Sequence, residues 1–288
     1  MRGIRQVGNI LPEEEYVEQA YLFRTMKDRA NSAEPMQELL AHIKEEILAT
    51  TKLPMAISYL LSELKHFGTM SSAMQRMSHY FTPVQTYLIA AAESTKGTFD
   101  MQLALTILAR EAQFRSESAT AEAMFFFQFE TICRNRLDYD TGLAALAKDP
   151  IYDEIWSRWI LDIRSKIGMV GLADLVYIHS EHYLTREGSS GVDFEKPDPI
   201  LFNEKVGRIA LANRTKQPLF FFSALQRQMK YPEVVKPTRR NTDQDVLPKL
   251  VVAVERLEAR LKLLEDEQRN QGIDLSQFYR KQDKPTEL

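Results

Sequence analysis

Cysteine is nearly absent from this chain of 288 residues, with Cys133 the single one. An internal disulfide is therefore excluded, and a cysteine-rich zinc fold has nothing to build on. Glycine and proline are sparse, at 11 and 12 residues, which disfavours a turn-rich all-β chain. No stretch reaches the roughly 18 uninterrupted apolar residues of a membrane span, and the opening MRGIRQVGNILPEEEY has no signal-sequence core. An excess of one charge is lacking too: 37 basic residues stand against 40 acidic ones, a net of −3. No general field draws the chain to nucleic acid or an anionic membrane, and the densest basic spot is only Arg239-Arg240. Missing also are Gly-x-Ser-x-Gly, a P-loop, Gly-x-Gly-x-x-Gly and Cys-x-x-Cys, so hydrolase-elbow, nucleotide-loop and zinc-ribbon chemistries have no footing. These absences point to a cytoplasmic protein and away from an enzyme.

What is present is apolar material in helical register. Hydrophobic residues make up 44% of the chain and aromatics 10%, enough for a substantial core. Pro12 followed by Glu13, Glu14 and Glu15 marks a helix start, with acids at the positive end of the dipole. Met36, Leu39, Leu40, Ile43 and Ile47 form the next stripe, and Leu53, Ile57, Leu60, Leu61 and Leu64 the third, with Gly68 as a left-handed stop. One or two helices follow over 71–93 with a break at Pro83. Asp100 is read as the N-cap of a helix to about Arg115.

Thr120 to Leu137 is the densest stretch. Phe125, Phe126, Phe127, Phe129 and Ile132 point nearly all the way round a helix, the pattern of a rod covered on every side. Beyond it, Asp149-Pro150 pairs an N-cap with a first-turn proline ahead of Tyr152, Trp156, Trp159, Ile160, Ile163 and Ile167, with Gly168 as the stop. Leu172, Leu175, Val176, His179 and Tyr183 belong to one further helix. The spacing thus predicts an all-α protein, a multi-helix bundle or irregular helical array of about seven to nine helices over 12–187. A flexible lead (1–11) precedes it, and a linker (188–199) and a small appended segment (200–237) follow. Within the appended segment, 200–213 suits a helix better than a hairpin, and Phe220, Phe221 and Phe222 are either a docking patch or the core of that piece.

After a second linker (238–245) the pattern becomes a heptad. Leu247, Val254 and Leu261 take one core position and Leu250, Leu257 and Leu264 the other, so residues 246–271 read as a coiled-coil helix before a disordered tail (272–288). The competing reading packs this stripe onto the chain's own body.

Polar residues inside apolar stripes are the most informative about chemistry, because burial must be compensated. Glu111, Glu130, His179 and His182 stand on three helices expected to touch, an inventory of the kind helical bundles use to hold a divalent metal or iron. The plainer account has Glu130 in a buried ion pair with Arg134 one turn on, and His179 bonded to a backbone carbonyl. Glu63-Leu-Lys-His66 matches the carboxylate-bridged di-iron spacing once, where two copies are needed. Cys133 reads as packing in a Phe-rich helix. The expectation is a non-catalytic interaction or scaffold protein without a cofactor, a homodimer through the heptad with an unidentified protein partner. The alternative is an all-α metal-dependent enzyme using Glu111, Glu130, His179 and His182.

Overall fold

The computed structural model describes residues 11–29, 35–94, 99–166, 169–188 and 197–236. They form α1 (Glu13–Arg29), α2 (Met36–Glu46), α3 (Leu53–Phe67), α4 (Met70–Arg76), α5 (Pro83–Glu93), α6 (Met101–Ser116), α7 (Ala121–Arg134), α8 (Tyr139–Leu146), α9 (Glu154–Lys166), α10 (Leu172–Ile178), α11 (Glu181–Gly188), α12 (Glu204–Asn213) and α13 (Pro218–Met229). Among the described residues there is no strand, although Ser180 and Phe202 meet in an isolated parallel bridge. The fold is an all-α array. The lead over 1–10, Ile167 and Gly168, the linker residues 189–196, and everything beyond 236, including the heptad of 246–271 and the tail, lie outside the described residues. Among those described, no helix is long and apolar enough to cross a membrane.

Short-range chemistry sets many of the helix ends. Asp100 accepts a hydrogen bond from the Leu103 N–H at 2.8 Å, and Thr120 accepts from Ala123 N–H at 3.3 Å. Thr82 and Gln85 form a reciprocal capping box ahead of Pro83. Gly68 closes α3 at φ +70°, a left-handed conformation that a Cβ would resist.

Long-range contacts move other ends from where the local pattern puts them. Asp149 does not cap α9. Asp153 does, its Oδ1 accepting from Trp156 N–H at 2.9 Å, while Asp149 turns inward to 1% exposure. The single helix expected from Leu172 breaks at His179–Ser180. There the Leu201 and Phe202 N–H groups both reach His179 O (3.0 and 3.2 Å), and Glu181 N–H reaches Phe202 O at 2.9 Å. A distant segment supplies hydrogen bonds that the helix would otherwise make itself. With α8 also standing alone, the described residues between Glu13 and Gly188 form eleven helices, α1 to α11.

The core is organised round α7. Phe125, Phe126, Phe127 and Phe129 are each at most 1% exposed, and each fully buried phenylalanine contributes roughly 1.5–3 kcal/mol. Phe125 meets Trp156 and Trp159 of α9 at ring-centroid distances of 5.9 and 5.1 Å. Phe126 meets Phe202 and Phe221, Phe127 meets Phe114 of α6, and Phe129 meets Tyr139 of α8 and Phe222 of α13. Neighbours thus cover α7 on all sides. The segment read as an appended piece shares this core: α12 lies on α10, α13 on α7, and Phe202, Phe221 and Phe222 are buried. Only Phe220 of the aromatic triplet faces solvent, at 61% exposure.

Candidate functional site

The strongest concentration of buried charge lies between α6, α7 and the turn before α9. Arg115, at the end of α6, has a 2% exposed side chain. Its Nη2 donates to Glu111 Oε1 at 2.9 Å, one turn back on the same helix, and to Asp149 Oδ2. Its Nη1 reaches Asp149 Oδ1 at 3.2 Å. From α7, Gln128 Nε2 donates to Glu111 Oε1 at 2.8 Å and lies 3.1 Å from Asp149 Oδ2, while Tyr152 Oη donates to Gln128 Oε1 at 2.7 Å. The Tyr16 ring of α1 lies beneath the guanidinium, 5.9 Å away. Burial opposes the Arg115 charge, but Asp149 and Glu111 outweigh it and hold its pKa well above the usual value. Burial, reinforced by Asp149, likewise lifts the Tyr152 hydroxyl far above 10. Two carboxylates, one guanidinium and an amide thus consume most of one another's bonding capacity. Glu111 Oε2 and Arg115 Nε are left without partners. A void of about 10 Å³, lined by Glu111, Tyr87, Phe127 and Thr131 among others, has room for about one water.

The four residues nominated from the sequence have separate surroundings. Glu111 belongs to the Arg115 cluster. Glu130 bonds Arg134 Nε through Oε1 and accepts from Tyr231 Oη at 2.6 Å through Oε2. Burial first, then Glu130, pushes the Tyr231 hydroxyl far above its ordinary range. His179 Nδ1 lies 2.7 Å from Pro199 O, and burial lowers its pKa. His182 Nδ1 is 3.7 Å from Glu204 Oε1 and has no hydrogen-bond partner. Among the described residues no three His, Cys, Asp or Glu side chains are grouped so as to hold a metal ion. Glu63 pairs with Arg76 Nη1 at 2.8 Å. The His66 side chain lies outside the described residues. Burial raises the Cys133 thiol to about 11, leaving too little thiolate near neutrality for nucleophilic work.

Comparison with protein-family models, characterised proteins and solved structures gave no match. The chemistry therefore rests on this geometry.

An open groove of about 400 Å³ runs between α1 and α6 beside Pro232. Ala109 and Phe114 line it together with Arg24, Lys27 and Arg110, but Asp28 and Glu117 line it as well. Lys27 pairs with Asp28, and Arg110 donates to Glu233 O. Three cations against two carboxylates give the groove little preference for one charge.

Arg115 and Asp149 were not singled out in the sequence as members of a site. The signal present was the i, i+4 spacing of Glu111 and Arg115. Nothing local announces Asp149, whose partner is 34 residues away.

Proposed function

We propose that this chain is a non-catalytic helical interaction protein that pairs with a copy of itself through residues 246–271 and presents its helical body to another protein. The observation that supports the body's role is how its interior ionisable groups are used. Arg115 is bonded to both Glu111 and Asp149, Glu130 to Arg134 and Tyr231, and His179 to a backbone carbonyl. Around them, the space beside Phe125 to Phe129 is filled by Trp156, Trp159, Phe202, Phe221 and Phe222. Groups occupied in this way hold a shape, whereas a reacting site keeps donors and acceptors free for substrate.

The pairing half rests on the strict two-in-seven pattern of Leu247, Leu250, Val254, Leu257, Leu261 and Leu264, narrower than the stripe of a helix packed on a globular body. A homodimer in the cytoplasm is the setting that goes with it. Light scattering at micromolar concentration tests the pairing. The full chain is expected at twice the mass of one chain. A chain cut after Asp243, and the double variant Leu250→Lys with Leu257→Lys, are expected at the mass of one. A full chain that is monomeric under those conditions removes the pairing.

A further inference from the structure

Residues 231–236 cross the body in an extended course after α13 ends. Lys230 closes that helix in a left-handed conformation at φ +56°, and beyond it the chain runs over α6 and α7. Tyr231 and Val234 are buried, and the Tyr231 ring meets Phe127 at 6.5 Å between centroids. Among the described residues, no backbone-to-backbone hydrogen bond holds this segment. Side chains hold it instead. Tyr231 Oη donates to Glu130 Oε2 of α7 at 2.6 Å and lies 3.0 Å from Phe222 O of α13. Arg110 Nη1 of α6 donates to Glu233 O, and Asn135 Nδ2, at the end of α7, donates to Val235 O at 3.3 Å.

A segment fixed in this way differs from the helices it crosses. A helix keeps its own backbone bonds when a neighbour moves off, whereas this segment has only side-chain anchors to release. Their release strands no charge. Glu130 stays paired with Arg134, and water reaching that pair takes the place of the tyrosine hydroxyl and relieves its desolvation. Against release stands the apolar burial of Tyr231 and Val234, which keeps the closed form dominant.

We propose that Tyr231 to Lys236 is a strap that releases from α6 and α7 in a local step while the rest of the body stays folded, and that the Tyr231–Glu130 bond is its catch. Pro232 of the same segment is one wall of the groove between α1 and α6. Phe114, which also lines that groove, meets Phe127 at 6.4 Å. Release therefore joins the groove to the face of α7 that Tyr231 covers, with the backbone bonds of α7 intact.

Trypsin under native conditions reads this step on the full chain. Cleavage after Lys230 requires the residues on both sides of the cut bond to leave the body, and Lys236 is followed by Pro237, which blocks the enzyme there. The fragment ending at Lys230 is counted by mass spectrometry at low protease concentration, where the rate follows the population of the open form. Urea is varied below the unfolding transition. In the wild type we expect the logarithm of the rate to rise with urea at less than about half the slope of global unfolding, because only a short segment becomes exposed. Tyr231→Phe, which leaves Glu130 Oε2 without that donor, is expected to speed the cleavage roughly 10- to 100-fold. Arg110→Met, which frees only the Glu233 carbonyl, is expected to speed it about two- to tenfold. A wild-type slope equal to that of global unfolding, or an unchanged rate in Tyr231→Phe, overturns the proposal.

Discussion

Arg115 neutralises two carboxylates in the interior, with its side chain 2% exposed and those of Glu111 and Asp149 at 1% and 0%. Pairs of this kind contribute little net stability compared with a well-packed apolar substitute, because desolvation offsets most of the attraction. Removing only the cation is a different matter, since both acids then remain buried and uncompensated. Arg115→Leu is expected to lower unfolding stability by roughly 3–5 kcal/mol, a large share of the about 5–15 kcal/mol typical of a folded domain. Urea denaturation read by tryptophan fluorescence measures this, through Trp156 and Trp159. A change below about 1 kcal/mol would mean that the cluster is hydrated and screened.

At the scale of elements, α11 and α12 approach more closely than side chains would normally allow. A Cβ built at Gly207 of α12 would sit 2.3 Å from Ser180 Oγ and 2.7 Å from His182 Cβ. Neither neighbour can withdraw easily: Ser180 Oγ is bonded to Tyr177 O at 2.6 Å. Gly207→Ala is therefore expected to cost about 1–3 kcal/mol, outweighing the usual helix-propensity gain of about 1 kcal/mol. Thermal unfolding decides the sign, and a raised midpoint would show that the contact gives way.

The same joint shows what the chain's local pattern carried and what it did not. The stop at Gly68, the cap at Asp100 and the break before Pro83 depend on residues within a turn of one another, so they are legible in one dimension. The Phe-dense stretch was legible as an enclosed helix because its apolar groups run round the whole circumference. The break at Ser180 was not, because the hydrogen bonds that compensate it come from Leu201 and Phe202. Asp149 looked like a cap because Asp-Pro is a common helix opening, yet a guanidinium at the end of α6 binds it more strongly than a backbone N–H would. Of the candidate site, the Glu130–Arg134 contact lies within one helical turn, whereas the meeting of Arg115 with Asp149 joins residues 34 apart in the sequence.

At the scale of the whole molecule, the described residues form a helical body closed round one aromatic rod, with Glu111 and Asp149 bonded to Arg115 and Glu130 bonded to Arg134. Such a body should have no easy internal opening at its centre. Native-state hydrogen exchange of the α7 amides from Phe125 to Ile132 tests this most directly. The predicted result is exchange only through global unfolding, with a free energy equal to that from urea denaturation. Exchange of these amides through smaller openings, faster than that of α1 or α6, would contradict it and place the phenylalanine helix at the edge of the fold.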